Sequence, residues 1–193
     1  MSRRISFDFD VQKFVNAAAY FTRQCEVTKM KLAKLLYFSD KSHLLTYARP
    51  IIGDRYIKMD FGPVPSQAYN LMKHDERALA EDQDLFDHYL EVRGNDITLK
   101  MQANLAWLSE SDREALDETI ARYGRFTPAE LSRISHREVA WQKAEMNSEM
   151  DYRLFFANVD GAEDVHRLVQ EDQELKDSLV ELDIEEFLGP LRP

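Results

Sequence analysis

Apolar residues in the first part of the chain recur at helical spacing. Phe14, Ala17, Ala18 and Phe21 share one face, and Asp10 stands where an N-cap belongs, so a helix is predicted from there to about Arg23. Thr28 opens a second helix over about 29–47, in which Leu32, Leu35, Leu36 and Phe38 interleave with Lys29, Lys31, Lys34 and Lys41. The pattern favours a solvated face whose stems cover apolar surface, with a dedicated anion site as the alternative. Arg49-Pro50 ends the helix. Ile51-Ile52 and the run Tyr56 to Phe61 then read as two short strands around Gly53-Asp54, which predicts a hairpin. In the next four residues, Gly62-Pro63-Val64-Pro65, each proline fixes its own φ and lacks an amide hydrogen. This corner is predicted to stop the strand and hand over to a helix that Ser66 starts, over 67–73.

After a polar, acidic stretch, Tyr89 to Arg93 and Ile97 to Lys100 flank Gly94-Asn95-Asp96, the signal for a second small ribbon. Ser111-Asp112-Arg113-Glu114 is a capping box for a helix from about 112 that Gly124 terminates. Thr127-Pro128-Ala129-Glu130 is another, for a short helix running towards His136, after which Trp141 reads as a lid on the core. From Gly161 onward Val165, Leu168, Leu175, Leu179 and Leu182 fall at alternating three- and four-residue steps once Asp172 is counted as a polar interruption, an acidic amphipathic helix. Either it folds back on the chain's own core, or it is an arm for binding a partner or delivering one to a protease. The fold class that results is mainly α with small β-hairpins (α+β): one domain over 1–159 with one or two antiparallel ribbons, and a helical tail over 160–193.

Charge changes this picture in one respect. The chain has a net charge of -10, but residues 1–50 carry +5 and residues 160–193 carry -8. An overall acidic surface argues against nucleic acid as a partner, apart from a local footprint on the N-terminal half. A chain of 193 residues buries roughly 70% of its unfolded surface and needs no covalent staple. The single Cys25 can make no internal disulfide, and no apolar run approaches the length of a membrane span, which together point to a reducing cytoplasm. Cys25 itself reads as a small buried hydrophobe.

Candidate chemistry is sparse. There is no Cys-x-x-Cys pair, His-Glu-x-x-His helix, phosphate loop or Gly-x-Ser-x-Gly elbow. His136-Arg137-Glu138 echoes the His-x-Glu of zinc deaminases without the Pro-Cys-x-x-Cys that would complete the metal site. The five histidines, at 43, 74, 88, 136 and 166, lack ligand spacing. Composition and spacing therefore describe a mainly helical domain and identify no reaction, metal or cofactor.

Three ordered blocks do carry a resemblance. They are "VTKMKLAKLLYFSDKSHLLTYARPI" (27–51), "YIKMDFGPVPSQAY" (56–69) and "LDETIARYGRFTPAELSRISHREVAWQKA" (116–144). Together, over most of residues 10–145, they resemble the Panacea domain, the SocA-like antitoxin domain of bacteria and phages. The resemblance implies an antitoxin that holds a co-encoded protein toxin inactive by direct contact, in the cytoplasm and in the setting of phage defence, with no reaction or cofactor of its own. It also implies a second role, as an adaptor presenting the toxin to the ClpXP protease. A DNA-associated regulator using the cationic N-terminal half is the third reading. For contact with the partner the expected residues are Tyr37, Tyr56, Lys58, Phe61 and Trp141, since aromatic and cationic side chains dominate interfaces where they are exposed. Burial would reassign any of them to the core.

Overall fold

The computed structural model describes residues 4–188, with side chains as far as 178. Two capped helices begin the fold. Helix α1 spans Val11–Gln24, with the Asp10 carboxylate accepting from Lys13 N at 2.9 Å. Helix α2 spans Lys29–Tyr47 and Thr28 Oγ1 accepts from Lys31 N at 3.2 Å. Between them, Val27–Thr28 form a two-residue strand, β1.

Helix α2 is the axis of the domain rather than an amphipathic outer helix. Its buried residues run around the whole circumference, from Leu32, Leu35, Leu36 and Tyr37 to Ser39, Asp40 and His43. A helix covered on every side carries no single apolar stripe. This corrects the expectation for its lysines. Lys31 is buried and donates to the Gly124 carbonyl at 2.7 Å, and Lys34 is buried and donates to the Pro63 carbonyl at 2.7 Å. Only a backbone acceptor held at the right place permits an ammonium that deep.

The proline-rich corner is itself a strand. Strands β2 (Tyr56–Met59) and β3 (Gly62–Pro65) pair antiparallel, with Met59 opposite Gly62 and Tyr56 opposite Pro65. Asp60 and Phe61 form the two-residue turn, and Gly62 takes up φ +100°. The expected hairpin with Ile51-Ile52 does not form, and the prolines do not end the ladder. Along a strand, amides point alternately to either side. Ser66 N bonds Arg55 O across the ribbon at 2.9 Å, so residues 62 and 64 face β2 while the nitrogens of Pro63 and Pro65 face outward. Proline is tolerated at such an edge. On the other side of β2, Lys58 N donates to Ser148 O and Met150 N to Tyr56 O, so residues 147–150 cover that edge.

Helix α3 (Ser66–Lys73) follows directly. Its first amides are capped from a distance: Asp54 accepts from Gln67 N at 3.1 Å and Ala68 N at 2.8 Å. The acidic stretch contains a further helix, α4 (Ala80–Tyr89), which docks through Phe86 and Tyr89. Strands β4 (Leu90–Arg93) and β5 (Asp96–Leu99) form the second ribbon, and β1 joins its far edge, giving the order β1-β5-β4. Helix α5 (Glu110–Tyr123) is capped by Ser109 with Asp112 at its third position, two residues earlier than the expected box. Helix α6 (Pro128–Ser135) has the expected Thr127–Glu130 box, and α7 spans Val139–Lys143.

Helix α8 covers Glu163–Leu188. Its described contacts come from one face. Val169 is buried, His166 stacks on Phe156 at 4.7 Å, and Gln173 Oε1 accepts from Ser6 N at 3.4 Å. Leu168 and Leu175 from the expected stripe point elsewhere and are 55% and 60% exposed. Leu179 and Leu182 lie outside the residues whose side chains are described.

Candidate partner-binding surface

The ribbon β2–β3 is fixed along the outer edge of β3. Lys34 reaches from α2 to the Pro63 carbonyl, and the space beside Gly62 is filled: a Cβ there would sit 2.3 Å from Ser135 Oγ and 2.8 Å from Lys34 Cε. Burial holds the Lys34 ammonium well below the usual lysine range, at about 7. Below the ribbon lie two buried carboxylates. Asp40 accepts from Ile51 N at 2.9 Å, Ile52 N at 3.0 Å and the Tyr56 hydroxyl at 3.0 Å. Its burial outweighs these three donors and pushes its pKa up to about 7; burial likewise raises Asp54 to about 6.

One flank of the ribbon is braced by an aromatic stack. The His136 and Trp141 rings lie 4.0 Å apart and nearly parallel, and Lys58 Nζ sits 4.4 Å from the centre of the Trp141 ring. Lys58 also donates to Ala144 O at 2.9 Å, and Trp141 Nε1 to Met59 O at 3.3 Å. Burial and the nearby Lys34 charge depress the pKa of His136, so the stacked ring is neutral near pH 7.

The opposite flank opens into a groove of about 450 Å³ between the ribbon and the start of α2. Its apolar lining includes Ala33, Met59, Phe61 and Val64, and its charged lining consists of Lys29 and Lys34 alone. Phe61, at the tip of the turn, is 64% exposed. A larger cleft of about 800 Å³ runs past Cys25, β1 and the start of α6, but its charges are mixed, with Arg23, Lys31 and Arg125 facing Glu26 and Asp96. Cys25 there is half-buried, its thiol pKa raised by burial, which leaves little thiolate near pH 7.

The closest approach to an acid-base constellation lies in the seam between α1, α2 and α5. Buried Asp112 meets Lys13 Nζ at 2.8 Å, Arg49 Nη1 at 3.1 Å and His43 Nε2 at 3.2 Å, and Ser111 Oγ lies 3.0 Å from the same Nε2. His43 Nδ1 is occupied by the Arg49 carbonyl at 2.6 Å. In a hydrolytic triad the carboxylate orients Nδ1; here it sits beside Nε2 with its charge matched by Lys13 and Arg49. The arrangement locks helices together. Among the described residues, no group of three or more His, Cys, Asp or Glu side chains could hold a metal ion.

The five expected contact residues separate into two sets. Tyr37 and Tyr56 are fully buried: Tyr37 packs edge-on against Phe38, Tyr56 and Phe155, and Tyr56 hydrogen-bonds Asp40. Their burial assigns both to the core, because α2 is enclosed and β2 turns Tyr56 inward. Phe61 is exposed, while Lys58 and Trp141 are half-buried and paired with each other. Spacing missed the ribbon's supports, Lys34, Gly62 and His136, and the groove residues Lys29 and Met59. The one available signal was Gly62, a glycine ahead of a proline at a chain reversal.

A family model described as "Antitoxin SocA-like, Panacea domain" matches residues 32–142, which takes in α2 from Leu32 onward, the ribbon and the His136–Trp141 stack. No curated protein and no solved structure matches the chain.

Proposed function

Because the chain belongs to the SocA-like antitoxin family with a Panacea domain, we propose that it neutralises a co-encoded protein toxin by direct contact, in the cytoplasm and without a reaction of its own. The observation that supports this most is the ribbon tip. Exposed Phe61 and Met59 stand on a base fixed by Lys34, Gly62 and the Lys58–Trp141 pair. Exposed aromatic anchors on a rigid support lose little conformational freedom on binding. A standard complex around them would bury about 1,200–2,000 Å² in total. The test is co-expression with the adjacent reading frame. Growth rescue and co-purification are the expected results, and failure of both would sink the proposal.

A second reading, delivery of the toxin to the ClpXP protease, draws on the exposed leucines of acidic α8. Deleting residues 160–193 should then lengthen the toxin's half-life in cells while leaving the complex intact; an unchanged half-life removes it.

A further inference from the structure

We infer that the groove between the β2–β3 ribbon and the N-terminal turns of α2 receives an acidic, apolar-anchored segment of the partner: a large hydrophobic side chain with a carboxylate beside it. The inference rests on the antitoxin reading above and says which part of the toxin is recognised. It starts from the mismatch between the groove and the rest of the molecule. In a chain of net charge -10, the groove has only lysines among its charged lining residues, Lys29 and Lys34. Its walls are otherwise largely apolar, and Phe61 and Met59 at its rim are 64% and 38% exposed.

Each part of the occupant follows from one part of the groove. Met59, Phe61, Val64 and Ala33 offer an apolar surface that gains from covering a large side chain. Lys29, half-buried at the first turn of α2, offers a cation at the edge. Lys34 lies deeper and has three N–H donors but one hydrogen-bond acceptor among the described residues, the Pro63 carbonyl. A carboxylate entering the groove would supply the missing acceptor and raise the depressed lysine pKa, so binding just above pH 7 should take up a proton. A cationic segment would meet the opposite situation, two like charges in a partly desolvated site. A second copy of this chain could offer Leu168 or Leu175 on acidic α8 to the same groove; a crosslink from position 61 to α8 of another copy would therefore overturn the inference.

The test uses the full-length protein with the protein encoded by the adjacent reading frame. First, the unmodified pair is co-purified; no complex at all overturns the antitoxin reading and this inference with it. Next, p-benzoylphenylalanine replaces Phe61, or for comparison Leu175 on α8, and the complex is photo-crosslinked and mapped by mass spectrometry. The expected result is a crosslink from position 61 to a toxin segment with Asp or Glu next to a large apolar residue. Lys29→Glu should weaken the complex about tenfold and make the remaining binding less sensitive to salt, with the thermal midpoint of the free protein unchanged. A complex that forms but crosslinks only from position 175, maps to a basic toxin segment, or is indifferent to Lys29→Glu overturns the inference and leaves the antitoxin reading standing.

Discussion

The ribbon tip and the outer face of α8 expose apolar side chains to about the same degree, 64% for Phe61 against 55% and 60% for Leu168 and Leu175. What differs is what stands underneath. Beneath Phe61, every few residues are tied to another element: Lys34 to Pro63, Asp40 to Ile51, Ile52 and Tyr56, Asp54 to the start of α3, Trp141 to Met59. Beneath the leucines is one helix face held through Val169, His166 and Gln173. Exposure alone therefore does not distinguish a recognition surface from a helix side. Under the proposal made for the ribbon tip, preorganisation is the difference, because a surface tied down by several elements has less freedom to lose on binding.

That contrast can be broken from the bottom. Asp40→Ala leaves two buried amides and the Tyr56 hydroxyl without an acceptor and should cost about 3–5 kcal/mol by urea unfolding, with the ribbon lost first in hydrogen exchange. The same residue sets a pH dependence. Its folded pKa of about 7 lies above the ordinary 3.8, so the native state holds the extra proton between those values. The stability this contributes is complete below about pH 4 and lost as pH rises through 7. Unfolding at matched pH values should show that slope flattened in Asp40→Asn; an unchanged slope would remove Asp40 as its source.

Gly62→Ala comes next. At φ +100° with Ser135 Oγ 2.3 Å from the new Cβ, it should cost about 1–3 kcal/mol and weaken toxin binding by more than its stability loss accounts for. Adding Ser135→Ala relieves the contact but not the backbone strain, so recovery should be partial. Trp141→Ala removes the cation–π contact of Lys58 and the His136 stack; about 1–2 kcal/mol of stability is at stake, read by thermal melting alongside toxin affinity. Smallest of all, Leu168→Ser with Leu175→Ser should change stability by less than about 0.5 kcal/mol. If that pair destabilises as much as Trp141→Ala, the two surfaces are not different in kind.

Much of the frame is legible in sequence where the signal is local. Asp10, Thr28 and the Thr127–Glu130 box announce their helices because a cap acts within one turn, and Gly94-Asn95 announces its hairpin for the same reason. Mainly helical architecture with small ribbons follows from these. The misreadings share a cause, which is tertiary context. Lys34 looks like a solvent-facing lysine until β3 brings a carbonyl to it, and Tyr37 and Tyr56 look like interface anchors until α2 proves to be enclosed. Pro63 and Pro65 look like terminators unless it is known that their strand lies at an edge. Helix α4 was hidden because its short docking face, Phe86 and Tyr89, is diluted by acidic residues. For the groove the sequence offered the constituents but not their adjacency, since Lys29 and Phe61 are separated by the whole of α2.

The two prolines of β3 have a further effect on what the molecule can become. A naked strand margin ordinarily invites a neighbouring chain to add itself, amide by amide, and so begin a fibre. At 63 and 65 there is no hydrogen to offer, and the Pro63 oxygen is already occupied by an ammonium. Addition of a further strand along that margin is blocked, even though Phe61 stands uncovered at the ribbon's tip.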